Sequence, residues 1–151
     1  MGLIEKLLKQ DTAALTNRPT AEVEIERLSK LIGEPCMIKV QALGTKQMRE
    51  IQDFNTKTIW QEVQKNGQKV KEKVEIIDKY KLVLDAIVAA TIEPDFKDSR
   101  LREKFKTEVP GDIIEEMFLP GEIKKIGDKI SELSGVDQSE TQADIDEAIK
   151  N

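Results

Sequence analysis

The segment DKYKLVLDAIVAAT, positions 78–91, is the most apolar stretch of the chain, and it fixes the architecture around itself. Leu82, Val83, Ala86, Ile87, Ala89 and Ala90 cover more than one face of a helix. A helix that is apolar on more than one face is stable only when other elements surround it. This segment is therefore predicted to be the central helix. Asp78 is placed to start it, and Pro94 requires it to end beforehand, because the residue preceding a proline is driven out of the helical region.

What surrounds that helix must come from a sparing supply. Apolar residues are 38% of the 151 positions and aromatics only 4%, so the core is expected to be aliphatic, built from Ile, Leu, Val and Met. Charged residues reach 35%, above the roughly 25% of ordinary soluble domains. The net charge of −5 is concentrated in the end of the chain, where Asp137, Glu140, Asp144, Asp146 and Glu147 face a single base, Lys150. The preceding body is nearly neutral, which argues against a nucleic-acid binder, since phosphate recognition needs a basic stripe. No stretch approaches the ~18 apolar residues of a membrane span. The first ten residues are too charged for a signal peptide. One cysteine, Cys36, excludes an internal disulfide and fits a reducing compartment. A cytoplasmic protein is expected.

Leu3, Ile4, Leu7 and Leu8 share one face of a short amphipathic helix predicted over residues 2–10. It is too short to stand alone and must dock, either on its own domain or on a partner. The run VEIERLSKLIGEPCMIKVQALG carries two patterns at once. Val23 and Ile25 alternate with glutamates, and Cys36, Ile38, Val40 and Ala42 alternate with Met37, Lys39, Gln41 and Leu43, as strands joined by a turn at Gly33-Glu34-Pro35 would. Ile25, Leu28 and Ile32 also sit at helical spacing, with Gly33 placed as a helix stop. The β-hairpin is preferred because the second strand needs a partner. Thr45 is positioned to cap a helix bearing Met48, Ile51 and Phe54. Between Asn55 and Asp78 the pattern weakens. Asn66-Gly67 signals a turn there, flanked by strands or by helix ends.

Asp98 or Ser99 is predicted to cap a short helix carrying Leu101 and Phe105. Pro110 is predicted to open another with Ile113, Ile114, Met117 and Phe118 on one face. The block FLPGEIKKIGDKISELSG then reads as a complete helix. Pro120 stands in the first turn, and Glu122 lies near the positive end of the dipole. Ile123, Ile126, Ile130 and Leu133 form a seam spaced 3, 4 and 3, and Gly135 closes the helix. Periodicity alone favours a core helix over a partner-binding one. The fold class is thus α+β and predominantly helical: a small N-terminal β-hairpin followed by a compact bundle of short helices. Residues 1–135 are read as one domain and 136–151 as an acidic tail, a frayed helix or disordered.

The chemistry is defined by what is missing. There is no histidine, which removes Ser-His-Asp and Cys-His catalysis and the commonest zinc ligand. LGTKQ at 43–47 lacks the glycine and lysine spacing of a phosphate loop, and DIDE at 144–147 lacks the spacing of a calcium loop. No cofactor is implied. A carboxylate enzyme is the remaining catalytic alternative, but no acid pair stands out from the solvated surface.

In order along the chain, RPTAEVEIERLSKLIGEP, IKVQALG, EPDFKD, FLPGEIKKIGDKISELSG and an acidic end closing on IKN resemble the XkdN-like tail assembly chaperones. These occur in tailed phages and phage-derived elements with PBSX-type contractile tails. The LPGEI…I..LSG block and the EPDF turn carry most of the specificity. The resemblance implies a non-catalytic protein in the host bacterial cytoplasm, absent from the mature particle. It would bind the tape measure protein, keep it soluble and present it for tail-tube polymerisation. A frameshifted longer form of the same chain, and further copies of itself, are the other candidate partners; neither nucleic acid nor membrane is among them. The alternative is a structural tail or connector component retained in the particle. Phe118, Leu119, Ile123 and Ile126 are the first candidates for the client surface, with the helix pair 110–118 and 120–134 forming a groove, and Leu3, Ile4, Leu7 and Leu8 are the second. On that reading, replacing Phe118 and Ile123 with aspartate abolishes client binding while the fold survives. Loss of the fold would instead mark them as core.

Overall fold

The computed structural model describes residues 2–136. The N-terminal half runs α1 (Leu3–Leu8), α2 (Thr12–Thr16), β1 (Thr20–Glu24), α3 (Glu26–Ile32), β2 (Met37–Gln41), α4 (Thr45–Phe54), β3 (Thr56–Lys65) and β4 (Gln68–Ile77). The second half runs α5 (Lys79–Ala90), β5 (Thr91–Glu93), α6 (Ser99–Phe105), α7 (Pro110–Met117) and α8 (Pro120–Leu133). The expected tail lies, from Asp137 onward, outside the described residues.

The apolar run is central, as its composition requires. The Asp78 side chain accepts from the Lys81 N–H at 3.1 Å and so caps α5. Val83, Leu84, Ile87 and Ala90 of α5 are buried. Helices α4, α7 and α8 pack against it, and α8 also lies over β1 and β2 of a three-stranded antiparallel sheet ordered β1-β2-β5. The core between these layers is Ile, Val and Leu with two phenylalanines, Phe96 and Phe118, whose rings meet edge to face at 5.9 Å.

Residues 20–41 correct the hairpin expectation. The strands do pair antiparallel, from Thr20 opposite Gln41 to Glu24 opposite Met37. The connection, however, is helix α3, ended by Gly33 in the left-handed region at φ 79°, where a side chain is disfavoured. Both sequence patterns were present because both elements are. Ile25 belongs to each: it has extended backbone, donates its N–H to Cys36 O at 3.0 Å, and is the N-cap of α3. Arg27 pins α3 to α8, donating to both carboxylate oxygens of Glu122 at 2.8 and 3.1 Å and to Met117 O at 2.7 Å.

Glu122 also accepts the Leu119 N–H at 2.8 Å, a donor that the helix start would leave unpaired. The Arg27 hydrogen bonds hold the Glu122 carboxyl below its ordinary range; partial burial opposes them and the Leu119 N–H adds to them. A carboxyl lowered in the folded state contributes stability that is present above its unfolded value, about 4.3, and lost as pH falls through the folded one. Glu122→Gln is therefore expected to lower the melting temperature by roughly 2–4 °C at pH 7. The difference from the native protein should close as the pH is taken below about 4, which thermal melts across that range would measure.

The C-terminus of α8 is closed as its sequence predicts. Gly135 has φ 74°. The Val136 N–H reaches Ser131 O at 2.9 Å, and the Gly135 N–H reaches Glu132 O at 3.2 Å, the paired bonds of a Schellman closure. At α4, Gly44 rather than Thr45 is the N-cap, and Gln47 Oε1 accepts the Gly44 N–H at 3.2 Å.

The ambiguous segment 56–77 is a two-stranded ribbon, β3 paired with β4 in unbroken register from Thr56–Ile77 to Lys65–Gln68. Asn66 and Gly67 both have positive φ, 53° and 77°, as the turn suited to the twist of a two-residue hairpin needs. Asn55, buried at the ribbon base, ties it to the body. Its carbonyl accepts the Asp78 N–H at 2.9 Å, and its amide donates to Ile51 O and Asp85 Oδ2, both at 2.9 Å. Asn55→Ala keeps the backbone bonds to Asp78 and Ile51 but takes the amide donor from Asp85 Oδ2, and is expected to cost about 1–3 kcal/mol, read as a shift in the urea midpoint.

Candidate protein-binding surfaces

The structure separates the predicted site residues into two groups. Phe118, Ile123 and Ile126 are 4%, 2% and 0% exposed. They fill the space between α8, α5 and the sheet, so the expectation that they offer a client surface is corrected. Their regular spacing is that of a helix seam buried on its own domain. Leu119 is outside that seam as the N-cap of α8 and stays exposed. Leu3, Ile4, Leu7 and Leu8 are 45–78% exposed, and α1 has no buried residue. The groove expected between α7 and α8 is closed by these buried side chains.

An apolar groove does open elsewhere, between α4, α5 and α8. Met48 and Ile51 come from α4, Leu82 and Ala86 from α5, and Ile130 from α8, around a cavity of about 330 Å³. Gly127, which falls beside the α8 seam, lines this cavity and adds no side chain to it. The rim is polar, with Gln52, Lys79 and Ser131. Ile77, the last residue of the ribbon, reaches the same cavity.

The ribbon face that begins at Ile77 runs outward from the groove, through the polar Thr58–Glu75 pair, to Trp60. Side chains two apart on a strand share a face, so Ile77, paired with Thr56, lies on the same side as Trp60, paired with Lys73. Trp60 stands about 13 Å along the strand from that base. It is the only tryptophan of the chain and is 63% exposed, with the Lys73 ammonium 5.4 Å from its ring centre. Sequence reasoning passed over it. The available signal was a lone tryptophan within a strand-compatible run of charged and polar residues, a setting where burial cannot account for it.

Among the described residues the reactive groups are not gathered into a chemical centre. Cys36 is half-buried, and burial, reinforced by Glu122 and Glu24, pushes its thiol up, away from the reactive thiolate. Asp98 has its pKa lowered to about 2 by the Arg100 side chain and backbone N–H, which is the work of a helix cap at α6. Among the described residues no group of three or more His, Cys, Asp or Glu could hold a metal ion, and no helix is long and apolar enough to cross a membrane. The acidic DIDE stretch lies outside the described residues.

An α+β body with an open apolar groove, an exposed aromatic and an exposed leucine helix offers surface of the kind that protein partners cover. The family described as phage XkdN-like tail assembly chaperone protein matches residues 4–149, and the chain belongs to it. The crystal structure of the protein YqbN, a structural-genomics target, is 21% identical to this chain; the match covers 85% of this chain and 98% of that one, with a TM-score of 0.56. At that identity the likeness speaks for a shared fold. No curated protein matches.

Proposed function

We propose that the chain binds the tape measure protein in the host bacterial cytoplasm, keeps it soluble and presents it for tail-tube polymerisation, and that it is absent from the mature particle. The observation that carries this reading is the apolar groove between α4, α5 and α8, with the exposed Trp60 on the ribbon face that leads away from it. Grooves of this kind accept the apolar face of an amphipathic helix. A client that is long, helical and rich in apolar residues supplies such faces repeatedly. Leu119 and the α1 leucines add exposed apolar surface outside the groove. In this reading residues 1–135 are the chaperone domain. The acids of 136–151 supply most of the net charge of −5, which favours solubility of a loaded complex.

The test is co-expression with the tape measure protein of the same element. The expected result is a soluble, co-purifying complex, with the tape measure protein insoluble when expressed alone and the chaperone missing from purified particles by mass spectrometry. A chaperone found in particles at stoichiometric amount would favour a retained structural component instead.

A further inference from the structure

The second face of the ribbon carries most of its aliphatic side chains. Ile59 pairs with Val74 and Val63 with Val70, with the Gln61–Glu72 pair between them, and these four, with Ile76 opposite Lys57, lie on the side away from Trp60. All five are β-branched, and Ile59, Val70 and Ile76 are exposed. A two-stranded ribbon is marginal in water unless a further layer covers its apolar face. Helix α1 has the matching deficit. Its six residues are too few to hold a helix unaided, and its four apolar side chains are exposed. Helix α2, which links it to the body, has no buried residue either. Among the described residues nothing covers either face.

We propose that two copies of the chain form a two-fold dimer in which α1 of each lies across the aliphatic face of its partner's β3–β4 ribbon. Helix on sheet is the layering that a one-faced ribbon requires. The dimensions suit each other: α1 is about 9 Å long, and the Ile59–Val74 and Val63–Val70 pairs lie about 13 Å apart along the ribbon. Near-complete burial of these exposed apolar side chains removes at most about 700 Å² from water per docking and about 1,400 Å² for the reciprocal pair, a ceiling that reaches the range of stable interfaces. Exchange of an identical element between two copies also closes on itself, leaving neither face open to a third. The face used is opposite Trp60, so the dimer does not depend on the client reading.

The experiment is light scattering on the full-length chain at tens of micromolar, with Leu7→Glu and Val70→Lys as variants. Both positions are exposed, and circular dichroism checks that each variant keeps the native spectrum. The expected masses are twice 17.1 kDa for the native chain and 17.1 kDa for each variant alone. Mixed in equal amounts, the variants should return to the dimer mass, because the mixed pair keeps one native α1 on one native ribbon and sets Glu against Lys at the other contact. A native chain that stays monomeric at 100 µM would overturn the proposal. So would a dimeric Leu7→Glu, or a mixture that stays monomeric, which would point to helix–helix or ribbon–ribbon contact. Because Val70 lies on the face away from Trp60 and does not line the groove, monomeric Val70→Lys should still hold the tape measure protein, which separates failure of the dimer from failure of the chaperone reading.

Discussion

The double substitution Phe118→Asp with Ile123→Asp is expected to leave the chain unfolded. Phe118 and Ile123 are 4% and 2% exposed. Deleting a buried phenylalanine or isoleucine side chain costs about 2–5 kcal/mol each from lost burial and the cavity left behind. An unpaired carboxylate in the same space adds a desolvation penalty. Phe118 also loses its edge-to-face contact with Phe96. Together these match or exceed the roughly 5–15 kcal/mol that holds an ordinary domain together. Circular dichroism and a urea titration would show it: no cooperative transition for the double variant, against a native-like one for Leu119→Asp. Leu119 is 54% exposed, and a surface change there is expected to cost within about 0.5 kcal/mol. A folded double variant would mean that α8 does not pack against the sheet as described.

Trp60→Ala is expected to leave stability unchanged and to weaken client capture by about 30-fold or more, the range of an aromatic anchor at a protein interface. The two effects separate because Trp60 belongs to no part of the core. Its indole is rigid and large and carries an N–H for a polar partner. Lys73, now over the ring, can move aside into water. Ala86→Glu, which sets a charge on α5 in the groove, should weaken capture in the same assay. Quantitative pull-down from co-expressing cells, with melting temperatures run in parallel, would measure both. Capture unchanged by either substitution would move the client site to α1 or Leu119.

Where a residue's role is local, the sequence announced it. Pro120, Glu122 and Gly135 bound α8, Asp78 caps α5, Asp98 caps α6, and Asn66-Gly67 turns the ribbon. Each of these capping and turning roles is played within four residues, so distant neighbours weigh little on it; at α4 the expectation missed by one residue, with Gly44 rather than Thr45 as N-cap. Patterns that depend on tertiary partners were less legible. β5 is three residues long and exists through its pairing with β2, with no run of its own to reveal it. In 20–41, strand alternation and helical spacing share Ile25, so either pattern read alone hides the other element. The site was the least legible part. Periodicity identifies an apolar face but not what covers it: the α8 seam and the α1 face look alike in sequence, yet one is buried and the other bare. The groove joins α4, α5 and α8, which are far apart in the chain, so no single stretch displays it.

A client helix lying in the groove and over Trp60 would take the indole out of water. Because Trp60 is the sole tryptophan, its emission in a titration with a soluble helical fragment of the tape measure protein tests that placement directly, provided the fragment lacks tryptophan. The expected result is a saturable blue shift. Binding of the fragment, confirmed by calorimetry, with the emission of Trp60 unmoved would contradict that placement.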